Sequence, residues 1–322
     1  MRAIVVEEFG GPENLKIVDL PKPVPGPTDV VVKVAVSGVN FIDVYFRTGL
    51  YKMPFPVAIG SEAAGLIDEV GSHVTEFAPG DRVAYAMARG SYAEYASVPA
   101  AQVVKVPDAV SFEQAAAVLL QGMTAHYLTQ STCPLKSGDT CLVHAAAGGT
   151  GALVVQMAKS LGARVFGTVS TPVKAAIAKA AGADEVIFYT EQDFAAEARR
   201  LTGGRGVDVV YDGVGKTTFD KSLDSLRPRG MMVLFGASSG AVPPFDPATL
   251  NPKGSLFLTR PSLAHYIATR DELVWRAKEV LGLVAAGTLT VRIDDTYPLD
   301  RAADAHRALE GRRTTGKLLI SL

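Results

Sequence analysis

The stretch His144-Ala145-Ala146-Ala147-Gly148-Gly149-Thr150-Gly151 decides how this 322-residue chain is read. It follows the apolar segment Thr140-Cys141-Leu142-Val143 and opens a helix-periodic run over 149–161. Strand, glycine turn and helix in that order are the context in which a G-x-G-x-x-G pattern holds a dinucleotide. Its three fixed positions fall on Ala146, Gly148 and Gly151. Ala146 still permits a tight turn, Gly148 lets backbone approach a pyrophosphate, and Gly151 lets the helix close on the strand. Free N–H groups and partial positive charge at the helix start then face the phosphates. A strand-to-helix turn without a ligand would show the same letters; the surrounding pattern argues against it.

Downstream, strands expected over 164–169, 185–188, 207–211 and 231–235 alternate with helices over 172–181, 193–201 and 217–226. Pro172 opens one helix at a first-turn position that tolerates its missing N–H. Such alternation predicts a parallel, doubly wound sheet. The end of its second strand selects the cofactor. NAD enzymes place an acid there for the ribose 2′-OH. Here the segment reads Thr168-Val169-Ser170-Thr171-Pro172-Val173-Lys174, with no acid. Ser170 offers a hydrogen bond and Lys174 a charge to a 2′-phosphate, so NADPH is expected over NADH. The plainer reading of Lys174 is a solvated helix lysine.

Upstream, residues 1–120 read as mostly β, with strands expected over 30–36, 64–70, 82–86, 92–98 and 103–106. The first is entered through the Pro-rich segment 21–27, an extended connector. Short strands at this spacing predict a compact, barrel-like domain. Ser111 with Gln114 forms a capping-box pattern; the helix it starts is expected over 112–120, ending near Gly122. A helix over 270–286, a strand over 289–293, a helix over 301–309 and a strand over 317–320 complete the chain.

Lys and Arg total 32 against 33 Asp and Glu, so the basic excess of a nucleic-acid-binding domain is missing. Cys133 and Cys141 make neither a disulfide framework nor a C-x-x-C pair; reduced thiols in a cytoplasmic protein are expected. No apolar run reaches the ~18 residues of a membrane span, and residues 1–10 lack a signal-peptide core. His73, His126, His144, His265 and His306 form no H-x-x-x-H or H-E-x-x-H pair, so no metal is expected. His144, at the end of a buried strand, reads as a satisfied core histidine.

Polarity for chemistry must then come from side chains. Asn40-Phe41-Ile42-Asp43-Val44-Tyr45, followed by Arg47 and Tyr51, is the densest polar cluster of the first domain. A short helical turn puts Asn40 and Asp43 on one side. Tyr45 and Tyr51 each carry an O–H for a carbonyl oxygen that gains charge as hydride arrives. These four are the candidate catalytic residues, although a capped helix start with surface tyrosines has the same pattern. Glu62, in Gly60-Ser61-Glu62-Ala63-Ala64-Gly65, reads equally as a buried structural acid or a surface one.

These segments come together with Gly80-Asp81-Arg82-Val83, Asp212-Gly213-Val214-Gly215, Phe235-Gly236-Ala237-Ser238-Ser239-Gly240, Thr259-Arg260-Pro261-Ser262 and Thr314-Thr315-Gly316-Lys317. The chain thereby resembles, over essentially its whole length, the zinc-free branch of the medium-chain dehydrogenase/reductase superfamily, and within it the quinone oxidoreductase (zeta-crystallin-like) family. Zinc-dependent relatives carry G-H-E in the 60–65 segment, where Ser61 replaces the His. The resemblance implies an α/β fold in which a Rossmann doubly wound parallel sheet is inserted in a GroES-like mostly-β catalytic domain. It puts the catalytic domain at 1–123 plus 263–322 and the NADPH-binding domain at 124–262. It implies reduction of quinones by NADPH. Reduction of an enone or enal double bond is the alternative, and an NADPH-sensitive RNA-binding or crystallin-like structural role is the alternative of another class.

Residue by residue, the resemblance implies Asn40, Asp43 and Tyr45 at the nicotinamide and substrate, with Gln121, Met123 and Thr124 beside the cofactor. It puts Ala147, Gly148, Gly149, Thr150 and Gly151 on the pyrophosphate, and Ser170, Lys174 and Tyr189 around the 2′-phosphorylated ribose. Phe235, Ala237, Ser238, Phe257, Leu258 and Arg260 run along the nicotinamide side. Arg312 reaches in from the tail, with Lys317 a weaker candidate. A homodimer through an edge strand over 255–258 is also implied, by the pairing logic of exposed N–H and C=O groups.

Overall fold

β1 (Arg2–Val6) pairs antiparallel with β2 (Lys16–Asp19), and β3 (Asp29–Val39) follows as the longest strand. α1 (Phe41–Thr48) and the short β4 (Val57–Ala58), which pairs with β1, lead into β5 (Glu62–Val70). β6 (Arg82–Ala86), β7 (Tyr95–Pro99) and β8 (Val103–Lys105) complete the N-terminal strands. Two register shifts bend β3 along its pairing with β5, a local device for curving a sheet. Valines fill its inner face: Val30, Val32 and Val34 pack with Ile67, Val83, Tyr85 and Val98.

α2 (Phe112–Tyr127) runs past the stop expected near Gly122 and continues as a wider π-helical turn, Leu128–Thr132. The reason is packing. A Cβ at Gly122 would lie 2.6 Å from Val280 and 3.0 Å from Val118. That glycine therefore allows a close helix contact and does not end the helix.

Beyond it come β9 (Thr140–Val143), α3 (Gly149–Ser160), β10 (Arg164–Val169), α4 (Pro172–Ala180), β11 (Glu185–Phe188), α5 (Phe194–Leu201), β12 (Val207–Asp212), α6 (Phe219–Ser225), β13 (Leu226–Leu234), β14 (Phe257–Thr259) and α7 (Leu263–Tyr266). The six strands form one parallel sheet in the order β11-β10-β9-β12-β13-β14. This bears out the doubly wound reading; the order reverses between β9 and β12, where such sheets bind ligands. Leu142, Phe166, Val210 and Met232 are fully buried at its centre.

The chain returns through α8 (Arg270–Ala285), β15 (Ile293–Pro298), α9 (Ala302–Glu310) and β16 (Lys317–Ser321). β16 pairs with β3, which places the tail in the N-terminal sheet, in the order β15-β16-β3-β5-β6-β8 with β7 also on β3. The strand expected over 289–293 lies instead at Ile293–Pro298. Its polar Asp294, Asp295 and Thr296 are tolerated because β15 is the exposed edge. A computed structural model describes all residues, 1–322, and divides them into two units, Met1–Met123 with Ile267–Leu322 and Thr124–Tyr266. Where the chain enters and leaves the second unit, Tyr127 stacks on Tyr266 with ring centroids 4.2 Å apart, and Thr132 donates to the Tyr266 hydroxyl at 2.8 Å.

Candidate functional site

In the parallel-sheet unit, most of the expected cofactor residues lie on the segments that leave the strands' C-terminal ends, with Phe257 and Leu258 on β14 itself and Thr124 in α2. After β9 the turn passes through Ala145 at φ +51 and Gly148 into α3, whose first turn has no side-chain cap. The N–H groups there are left to another acceptor. Gly151 is required by contact: a Cβ would collide with the Ala145 carbonyl oxygen. Gly151→Ala is therefore expected to cost about 1–3 kcal/mol, as overpacking against fixed backbone does. Thermal melts of the variant read the loss, and an unchanged midpoint would mean that the turn yields.

Ser170 follows β10, half-buried, and Thr171 caps α4 by accepting the Lys174 N–H. Tyr189 is exposed just after β11, and its N–H donates to Val169 at 3.2 Å. Ser170 and Tyr189 thus leave the adjacent strands β10 and β11, and the turn from Ser170 to Lys174 holds no carboxylate. After β13, Phe235 and Ser238 are half-buried and Ala237 is buried. Phe257 is exposed and Leu258 half-buried on the edge strand β14, and Arg260 donates to the Leu234 carbonyl.

One buried network fixes the frame of these strand ends. His144 is bonded to Thr168 Oγ1 through Nδ1 and to Ser222 Oγ through Nε2, both at 2.9 Å. Ser222 and Thr218 donate to Asp212, whose other oxygen accepts the Val214 and Gly215 N–H groups. The ends of β9, β10 and β12 are tied together in this way. Burial holds the His144 imidazole below its ordinary pKa, which suits a structural histidine.

In the other unit, α1 begins at Asn40. Asp43 accepts the Asn40 N–H at 3.0 Å, satisfying one free donor of the helix start. The Asn40 side chain faces inward: Nδ2 donates to Glu62 at 2.8 Å, and Oδ1 accepts from Lys317 at 2.7 Å and from Gln121 at 3.4 Å. Lys317 and Glu62 form an ion pair, both side chains fully enclosed, and Glu62 also accepts the Leu120 N–H at 2.7 Å. Burial pulls the Lys317 ammonium below its usual range, and Glu62 opposes that pull. Lys317 is thus committed inside the fold, to Glu62 and Asn40. The Gln121 amide oxygen is buried with no partner in the chain, an acceptor open to a bound amide or hydroxyl.

Asp43 is also fully enclosed, bonded to Ser61 Oγ at 2.5 Å and to the Tyr92 hydroxyl at 3.3 Å. So enclosed, it holds the start of α1 from within. Tyr45 is nearly buried and Tyr51 partly exposed, their rings 5.4 Å apart edge to face. Arg312 lies exposed on the turn after α9, at φ +56. Met123 and Thr124 are buried in α2.

Residues 26–108 match the alcohol dehydrogenase GroES-like domain, and residues 149–277 match the zinc-binding dehydrogenase domain. A quinone oxidoreductase of Pseudomonas aeruginosa is 45% identical over 314 residues, 97% of each chain. The chain belongs to the quinone oxidoreductase family. A mycobacterial protein of known structure, complexed with NADPH, superposes on this family member with a TM-score of 0.97 at 50% identity over the whole of both chains. A 2-haloacrylate reductase of a Burkholderia species is 42% identical over 99% of this chain and 98% of its own. Although one matching domain is named for zinc, no three His, Cys, Asp or Glu side chains come together here to hold a metal, and Ser61 stays bonded to Asp43.

Two residues of the buried network, Tyr92 and His306, gave no signal of their place in the sequence, and Arg47 showed only as part of the polar cluster after Asn40. His306 reaches both Tyr92 and Arg47 because α9 returns from the far end of the chain.

Proposed function

We propose that this protein is an NADPH-dependent quinone oxidoreductase that reduces quinones without a metal ion. The observation that carries the cofactor is the acid-free turn Ser170–Lys174 beside the uncapped start of α3. The α3 N–H groups suit a pyrophosphate, Ser170 and Lys174 suit a 2′-phosphate, and the unpartnered Gln121 oxygen suits an amide. When bound, NADPH supplies the hydride. The names of the relatives support quinones as acceptors; the haloacrylate reductase makes an activated C=C bond the second reading.

Within the chain, Asn40, held by Lys317 and Glu62, orients the reaction side. Tyr45 donates a hydrogen bond to the oxygen that gains charge, with Tyr51 packed against it. Arg312, Phe235, Ser238 and Arg260 lie along the cofactor. The catalytic part is 1–123 plus 263–322, and the cofactor part 124–262. The exposed edge strand β14 is the face for a second copy of the chain. No helix is long and apolar enough to cross a membrane; a cytoplasmic site and the absence of nucleic-acid binding belong to the same proposal.

The test is NADPH oxidation at 340 nm with phenanthrenequinone and with an enone, and with NADH as control. Turnover of the quinone with NADPH supports the proposal, and turnover of the enone alone replaces it with the second reading. Tyr45→Phe is expected to lower kcat about tenfold, the lower end of what one hydrogen bond to a charge supplies. Unchanged turnover would remove Tyr45 from its role.

A further inference from the structure

Behind α1 lies a chain of buried side chains that the proposed reaction does not use. Arg47, on α1, donates to the Gly10 carbonyl, to both Glu310 oxygens at 2.7 and 3.0 Å, and to His306 Nδ1 at 3.1 Å. A guanidinium only donates, so Nδ1 of His306 accepts and the ring proton sits on Nε2. That proton points at the Tyr92 hydroxyl oxygen, 3.2 Å away. Tyr92 must then send its own proton to Asp43 Oδ2 at 3.3 Å. Every direction in the series follows from the arginine at its start.

Oδ2 of Asp43 therefore faces two donors, Tyr92 and the Asn40 N–H. A proton taken up by this carboxyl has to enter at Oδ1, against Ser61. The guanidinium does not give up a proton, so the series conducts none to Glu310; it orients.

We infer that Tyr92 and His306 are positioning residues, which keep the Asp43 carboxylate aimed at the start of α1 and so hold Asn40 and Tyr45 in register. The inference rests on the reading of this turn as the reaction side. A carboxylate holds the Asn40 N–H more strongly than a neutral carboxyl does. The groups that face Asp43 are Lys317 of β16, Glu62 of β5, Tyr92 before β7 and, beyond it, His306 of α9 with Arg47 of α1. Burial raises the Asp43 pKa to about 7, against the Ser61 and Asn40 hydrogen bonds and the Lys317 charge, which lower it. The start of α1 is accordingly held best above neutral pH. Losing the Tyr92 donor removes support from the charged form and moves that pKa further up.

The sign for stability is the reverse. An acid whose folded pKa is raised from 3.8 to about 7 stabilises the fold most below pH 4, and that contribution is lost as pH rises through 7. His306, whose burial beside Arg47 lowers its pKa to about 3, contributes with the opposite slope between 3 and 6.5. Differences between variants, and not the bare wild-type curve, isolate Asp43.

The experiment records kcat for quinone reduction and the thermal midpoint from pH 5 to 9. It compares wild type with Asp43→Asn, Tyr92→Phe, His306→Phe and His306→Gln, the last keeping an N–H donor toward Tyr92. In the wild type an acid limb centred near pH 7 is expected. Tyr92→Phe moves it up by about one unit, so that kcat falls about tenfold at pH 6 and converges with wild type at pH 9. His306→Phe shifts it the same way, His306→Gln restores it, and Asp43→Asn abolishes it. The midpoint of Asp43→Asn gains on wild type between pH 5 and 7. A Tyr92→Phe loss equal at every pH, a limb that survives Asp43→Asn, or a midpoint difference flat in pH overturns the inference. The melts need no substrate. A wild type inactive with every quinone therefore fails the proposed function, while the melts still decide the role of the series.

Discussion

Lys317→Met is expected to lower the stability of its unit by about 3–5 kcal/mol, because it strands a charge in the interior. Lys317 and Glu62 are both fully enclosed. In the variant Glu62 keeps the Asn40 and Leu120 N–H donors but loses its counter-charge. It can escape by taking up a proton, which caps the loss. From a normal pKa of ~4.3, holding a glutamate neutral at pH 7 costs about 4 kcal/mol. The loss should therefore shrink toward pH 5 and reach its ceiling above pH 8. Glu62→Gln with Lys317→Met, which removes both charges, should recover more than half of it. Urea unfolding of the three proteins at pH 5 and 8 measures both statements. A single variant as stable as wild type at pH 8 would mean that water reaches Glu62.

The second large effect falls on cofactor choice. Ser170→Asp with Lys174→Glu is expected to lower kcat/KM for NADPH about a thousandfold and leave NADH within a few-fold. Two donors to a phosphate are lost, each worth about 1.5–3 kcal/mol, and two like charges replace them. The same carboxylates can accept from the 2′-OH of NADH. The α4 cap survives, since Thr171 makes it. Steady-state kinetics with both cofactors separates the outcomes. Equal losses with both would indicate damage to the turn. No loss with NADPH would show that other groups, such as Tyr189 or Arg312, carry the phosphate.

Most of the parallel sheet was legible in the sequence because its strands carry apolar runs, Cys141-Leu142-Val143, Val165-Phe166, Val186-Ile187-Phe188, Val209-Val210-Tyr211 and Met231-Met232-Val233-Leu234, that alternate with helix-periodic segments; the polar first half of β13, Arg227-Pro228-Arg229, was not legible. The glycine turn and the missing acid after Val169 are local signals, readable within a few residues. The network around Asp43 is not local. Lys317 opens an apolar strand and Glu62 sits between glycines, and nothing nearby in sequence names either partner. Their pairing depends on β16 lying beside β3. Gly122 misled for a related reason: a glycine that ends a helix and a glycine that lets one pack closely look alike until Val280, far along the chain, is in place. The edge strand Ile293–Pro298 escaped because exposure frees it from the alternation that marks half-buried strands.

The stacking of Tyr127 on Tyr266 also bears on how the chain can fold at all. Joining β3 to β16 requires closing a loop that contains the whole of residues 124–266. The entropy of closing a flexible loop rises with the logarithm of its length. Here the two ends of that excursion are clasped to each other inside the unit they bound. Once the parallel sheet has formed, its beginning and end are already neighbours. To the pairing of β3 with β16 the long insertion then costs what a short hairpin would.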